Sequence, residues 1–249
     1  MSAPTPHHDP EFENRSYDTA AFAAAALKSW QTLAAVIDHT LLKPDATRAQ
    51  VESLCEEAVR YRFACAMVNP VWASTAVGAL SGSGVPAGVV IGFPLGASLV
   101  STLHQEAAAL SRLGARELDM VIPIGLLKSG DNRAVQNAIR TTATVAHHHG
   151  ALLKVILETA LLNVEEKLRG SELAIQAGAD FIKTSTGFSS GGATATDVAL
   201  MRGVAGSRCG VKASGGIRTL ADVKAMLEAG ASRIGASASV AIVREMGAE

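Results

Sequence analysis

The sequence predicts an α/β protein, a (β/α)8 TIM barrel with an extra N-terminal helix, and three observations carry that expectation. Its 249 residues suit one such domain, which takes about 250. Lys154, Lys183 and Lys212 recur every 29 residues, a period that holds one strand, one helix and their loops. Eight apolar runs alternate with stretches of helical composition, and strand-to-helix alternation makes a sheet parallel.

Residues 1 to 17 are polar and without periodicity, which predicts a flexible arm and leaves residues 18 to 249 as one domain. Asp18 is the expected N-cap of an Ala-rich helix running to about Ala35, placed to cover the barrel floor. The strands follow as VIDHT, FACAMVN, AGVVIGF, ARELDMVI, ALLKVILE, DFIKTS, GVKAS and SRIGAS. These runs lack polar alternation, as expected of parallel strands covered on both faces. Gly114, Gly150, Gly178 and Gly230 each fall just before a strand, where a helix end takes a left-handed residue. A doubly wound open sheet would carry a glycine-rich turn after its first strand. VIDHTLLKPDAT has no glycine, and Gly82-Ser83-Gly84 precedes a strand.

Composition narrows the function. A net charge of −1 provides no broad footprint for nucleic acid or for an anionic membrane. No apolar run approaches the ~18 residues of a membrane span, and the polar, acidic N-terminal stretch does not read as a signal peptide. Cys55, Cys65 and Cys209 are an odd count without metal-ligand spacing, so neither a disulfide framework nor a zinc site is indicated. A cytoplasmic enzyme is expected.

Active sites of such barrels lie at the C-terminal ends of the strands. Polar residues late in apolar strands are therefore the candidates: Asp38, Asp119, Lys154, Lys183 and Lys212, all expected in one mouth. A lysine is nucleophilic only when neutral, and a neighbouring cation or desolvation lowers its pKa from about 10.4 towards 7. Lys183 and Lys212, on adjacent strands, offer such a pairing. A strand lysine can also be a structural partner of a carboxylate, but three in phase beside two aspartates point to chemistry. A neutral amine forms an imine with a carbonyl, which permits carbon–carbon cleavage without metal or cofactor, and Asp119 with Asp38 are the expected proton carriers. Gly215 and Gly216 after the seventh strand, and Gly235, Ser237 and Ser239 after the eighth, lie where barrels often bind phosphate. The histidines offer no convincing metal-ligand set. His39, alternating with Asp38, is expected in a packing or supporting role.

The segments IDHTLLKPDAT, ELDMVIPIG, LLKVILET, DFIKTSTGF, VKASGGIRT and RIGAS resemble the deoxyribose-phosphate aldolase family, from about Ile37 to Ser239. The resemblance implies reversible cleavage of 2-deoxy-D-ribose 5-phosphate to acetaldehyde and D-glyceraldehyde 3-phosphate. It implies Lys183 as the Schiff-base lysine, Lys212 as the lysine that perturbs it and Asp119 as the proton relay. Lys154 and Asp38 fall in the supporting network, while Thr186, Gly187, Gly216, Gly235 and Ser237 resemble phosphate or hydroxyl contacts. A homodimer is the implied assembly. Other readings of the same residues are a transaldolase-like imine-forming barrel and a sugar-phosphate binding protein without catalysis.

Three positions depart from the family. Met67 stands where many relatives have a cysteine that reactive enals trap, so tolerance to acetaldehyde is expected. Phe188 replaces a phosphate-contacting lysine of some members, which predicts phosphate binding through backbone groups and weaker discrimination against unphosphorylated deoxyribose. The tyrosine-ending tail of some members does not follow Ser239, and no contribution from it is expected.

Overall fold

The structure, a computed structural model, describes residues 17–249. The predicted arm lies outside the described residues except for Tyr17. Two short helices come first, α1 (Thr19–Ala26) and α2 (Trp30–Ala34). Asp18 caps α1 as expected, its carboxylate accepting from the Ala21 N–H at 2.9 Å. The single helix expected to Ala35 is broken, because Ser29 begins a new one: its hydroxyl accepts from the Thr32 N–H and the Thr32 hydroxyl accepts from the Ser29 N–H. That reciprocal box satisfies donors at a helix start.

Eight strands then alternate with helices. They are β1 (Ile37–Leu41), α3 (Arg48–Tyr61), β2 (Cys65–Val68), α4 (Ala73–Ala79), β3 (Ala87–Ile91), α5 (Val100–Leu113) and β4 (Glu117–Val121). The chain continues through α6 (Ile124–Lys128), α7 (Asn132–His148), β5 (Leu152–Ile156), α8 (Val164–Gln176), β6 (Phe181–Lys183) and α9 (Ala195–Ala205). It closes with β7 (Gly210–Ser214), α10 (Leu220–Glu228), β8 (Arg233–Ala236) and α11 (Ser239–Arg244). The strands pair in chain order and β8 returns to β1, a closed parallel barrel. All eight predicted runs contain a strand. The four glycines expected before strands do take positive φ, from 71° at Gly150 to 111° at Gly230.

Alternation along the strands separates two interiors. Outward-facing Leu118, Met120, Leu153, Val155, Ile182 and Val211 join the core between sheet and helices, each fully buried aliphatic contributing roughly 1.5–3 kcal/mol. Inside the barrel, Cys65, Met67 and Val90 form a separate apolar cluster with Leu42 and the partly buried Phe93. Charged side chains fill the rest, on β4 to β8 and at Asp38 of β1. At the floor, Arg202 donates to the carbonyls of Gly206, Gly230 and Cys209 and lies 3.7 Å over the Tyr17 ring. The N-terminal segment thus meets the turns that lead into β7 and β8. Among the described residues, no helix is long and apolar enough to cross a membrane.

Candidate active site

Strand register brings the predicted residues together at different depths. Lys183 and Lys212 are direct neighbours across β6 and β7, while Asp119 faces Lys154 across β4 and β5. Lys183 pairs with Ile156, so Lys154, although in phase in sequence, sits two residues deeper. The stagger of a closed barrel moves equal sequence phases to unequal heights.

Asp119 is the centre. Its Oδ2 accepts from Lys183 Nζ at 2.8 Å and Lys212 Nζ at 2.7 Å, and its Oδ1 from Lys154 Nζ at 2.9 Å. Asp38 Oδ2 contacts Lys212 at 2.5 Å and Lys154 at 3.1 Å, and Asp38 Oδ1 contacts Arg233 at 2.7 Å. Glu117 pairs with Lys154 and, at 3.4 Å, with Arg233. Glu117 and Arg233 are additions to the predicted set. Each had a signal in the sequence, standing two residues before Asp119 or Gly235 and hence on the same strand face.

Burial alone would raise the Asp119 carboxyl, but the ammonium groups of Lys154, Lys183 and Lys212 outweigh it and hold the group well below the carboxylate range. Burial would likewise lower Lys154, yet Asp119, Asp38 and Glu117 raise it well above an ordinary lysine. Lys183 goes the other way. Burial lowers it to about 8, Asp119 opposes the shift, and Lys212 and then Lys154 add to it. Desolvation is thus the larger cause and the Lys212 pairing the smaller one. Formal charge agrees: Asp38, Glu117 and Asp119 are matched by Lys154, Lys212 and Arg233, so Lys183 is the cation in excess and its neutral form balances the set.

Above Lys183 the barrel opens into a cavity of about 290 Å³. Gly215 and Gly216 take φ of 92° and 80°, and their N–H groups have no partner among the described residues. Successive amides of this kind form an anion-binding concavity. Thr186, Gly187, Gly235 and Ser237 line the same cavity. Ser239 does not: at the start of α11 its buried hydroxyl donates back to the Ala236 carbonyl at the end of β8, at 2.8 Å. Lys43 and Arg218, which sequence reasoning passed over, also line the cavity. Arg218 stands beside the predicted glycine pair. Hydrogen bonds from the Arg218 backbone and from the Thr219 side chain and backbone lower the Asp222 carboxyl, and the Arg218 charge is near enough to add to that shift.

A family model described as DeoC/LacD family aldolase matches residues 32–248. The chain belongs to this family. It is 54% identical to a deoxyribose-phosphate aldolase from Geobacillus sp. (strain WCH70) over 184 residues, 74% of this chain and 82% of the relative. A deoxyribose-phosphate aldolase from Bacillus mycoides (strain KBAB4) is 54% identical over 211 residues, covering 85% and 94% of the two chains. Among solved structures, a deoxyribose phosphate aldolase from Aeropyrum pernix superposes with a TM-score of 0.85 at 35% identity, over 93% of this chain and 97% of that one.

In this DeoC/LacD aldolase the Phe188 substitution does not strip the cavity of cationic side chains, since Lys43 and Arg218 reach it. Phe188 lies edge-on to Phe93, ring centroids 5.4 Å apart, at the apolar side of the mouth. His39 points away from the site, with Nε2 2.7 Å from Glu57 and its ring 5.0 Å from that of Phe63, as its alternation with Asp38 predicts. Asp38, Cys65 and Glu117 bring ligand atoms within 4.8 Å of one another. Both acids are already held by Lys154 and Arg233, and burial first, then Glu117 and Asp38, push the Cys65 thiol well up, so the set does not suit a cation.

Proposed function

We propose that this aldolase reversibly cleaves 2-deoxy-D-ribose 5-phosphate to acetaldehyde and D-glyceraldehyde 3-phosphate through an imine on Lys183. The observation that carries the reading is the single lysine lowered to about 8 among carboxylates and cations that otherwise balance. Neutral Nζ adds to the C1 aldehyde, and the carbinolamine loses water to give the protonated imine. Loss of the C3 hydroxyl proton then breaks the C2–C3 bond. Its electron pair passes into the imine, leaving an enamine as glyceraldehyde 3-phosphate departs. Protonation at C2 and hydrolysis release acetaldehyde and regenerate the amine.

Asp119 carries protons between the lysines, because its Oδ2 touches both. Held well below the carboxylate range, it acts as a relay and not as a resting acid. Lys212 supplies positive charge beside the imine and proton exchange through Asp119, while Lys154 and Asp38 hold that carboxylate in place. The Gly215-Gly216 amides, the Gly187 N–H, Ser237, Arg218 and Lys43 receive the phosphate.

Borohydride trapping with acetaldehyde, followed by peptide mass spectrometry, tests the reading. An adduct on Lys183, absent in Lys183→Ala, is the expected result; substrate binding without any adduct overturns it. Turnover of a longer ketose phosphate in preference to deoxyribose phosphate would favour the transaldolase-like reading. A homo-oligomer, with a dimer as first choice, is part of the proposal. The Aeropyrum pernix relative is described as tetrameric, and sedimentation would distinguish the two. Three buried free cysteines fit a reducing cytoplasm.

A further inference from the structure

Beyond β5 the chain makes an irregular step at Glu158. The Leu157 N–H bonds to the Lys183 carbonyl and the Thr159 N–H to that of Thr184, whereas regular parallel pairing uses carbonyls two residues apart. Glu158 absorbs the difference in the left-handed region, φ 57° and ψ 63°, where a residue with a Cβ is disfavoured. Its side chain is buried at 2% exposure. One carboxylate oxygen, Oε2, accepts from both the N–H and the hydroxyl of Thr186; the other, Oε1, has no hydrogen-bond partner. Left-handed backbone and an unpartnered buried carboxylate oxygen are two local penalties at one residue, a combination retained where the surroundings require it.

The clamp decides what the β6 loop presents. With its hydroxyl hydrogen given to Glu158, Thr186 Oγ1 accepts from the Phe188 N–H at 3.0 Å. The N–H and the hydroxyl of Thr186 are therefore both engaged within the protein. Gly187, between them at φ 86°, keeps an N–H without a partner among the described residues on the cavity that holds Lys183 and the Gly215-Gly216 amides. We infer that Glu158 is a positioning residue for the substrate phosphate: its carboxylate fixes Thr186 so that the Gly187 N–H completes the anion cradle. The inference rests on the proposed binding of a phosphorylated sugar in this cavity.

The test compares Glu158→Ala, Glu158→Gln and Thr186→Val with the unaltered enzyme, using deoxyribose 5-phosphate, unphosphorylated deoxyribose and inorganic phosphate as a competitor. In Glu158→Ala and Thr186→Val, kcat/KM for the phosphorylated sugar is expected to fall at least tenfold further than for deoxyribose, chiefly through KM. Inhibition by phosphate weakens in parallel, and acetaldehyde still traps on Lys183. Glu158→Gln recovers most of the loss, because its amide oxygen still accepts from Thr186. Equal losses on both sugars, or an unchanged phosphate inhibition constant, would overturn the inference while leaving the cradle in place. Absence of phosphate inhibition in the unaltered enzyme would instead remove the phosphate reading itself, and this inference with it. Should Glu158→Ala not fold, Thr186→Val decides, since it removes the hydroxyl and leaves Glu158 untouched.

Discussion

Gly235 lies directly under the side chain of Lys212: a Cβ built on it would stand 3.0 Å from Lys212 Cε, 3.7 Å from Nζ and 2.9 Å from the Ser214 Cβ. The lysine reaches Asp38 and Asp119 because β8 carries no side chain at that point. Gly235→Ala is expected to lower kcat about 100-fold, the loss typical of roughly 1 Å misplacement in a catalytic site. Overpacking should cost about 1–3 kcal/mol of stability. Steady-state kinetics with a denaturation curve check this, and an unchanged kcat in a folded variant would contradict it.

In the proposed mechanism neutral Lys183 is the reactive form, so kcat/KM should rise with pH up to about 8 and fall roughly tenfold per unit below it. Lys212 contributes to the lowering, and Lys212→Met should therefore move the acid limb upward in the residual activity. For stability the sign also follows. The folded state binds fewer protons than the unfolded chain between about 8 and the ordinary 10.5, so this group's contribution to stability rises with pH across that window. A limb that stays in place in Lys212→Met would argue against the coupling.

Lys154 and Lys183 should respond oppositely to removal of charge. Lys154→Met leaves Asp38, Glu117 and Asp119 short of a cation they all touch, and breaking a buried ion pair costs about 3–5 kcal/mol. Lys183→Met removes the cation in excess, and its cost is expected to stay below about 1 kcal/mol. Urea denaturation at neutral pH measures both, and equal losses would show that the charge balance is not the controlling feature.

Arg218→Ala should raise KM for deoxyribose 5-phosphate by roughly 10–100-fold, the equivalent of about 1.5–3 kcal/mol for a charge-assisted hydrogen bond. Unphosphorylated deoxyribose should be affected far less. A KM rise shared by both sugars would place Arg218 elsewhere in the reaction.

Met67 and Cys65 are fully buried, and the Cys65 thiol is pushed well up by burial and by Glu117 and Asp38. No thiolate is therefore available near the aldehyde. The enzyme should keep its activity and intact mass in concentrated acetaldehyde, and Met67→Cys should make it sensitive. Rapid inactivation of the unaltered enzyme with an adduct on β2 would refute this.

Periodicity was enough for the barrel, because eight covered parallel strands leave an unmistakable alternation of apolar runs and helical segments. Lys183, Lys212 and Asp119 were legible for a related reason: a charged group inside an apolar strand is costly to bury, and it stands out against its neighbours. Glu117 and Arg233 were legible in principle through strand alternation. They were passed over because each lies early in its strand, further from the mouth. The break at Ser29 went unread in an Ala-rich stretch that reads as continuous helix, until the Ser29–Thr32 box is seen.

By itself, then, the sequence determined the barrel, the buried lysine proposed to form the imine and the carboxylate beside it, all of which follow from local pattern and the energetics of burying charge. Tertiary structure decided the rest. Register placed Lys154 below Lys183 despite the shared 29-residue phase, and desolvation within the closed barrel proved a larger influence on Lys183 than its lysine neighbour. The left-handed turn at Glu158 and the engagement of Thr186 and Ser239 by partners other than a ligand were likewise settled there. Depth, desolvation and hydrogen-bond commitment depend on which distant segments meet, and those meetings exist only once the barrel has closed.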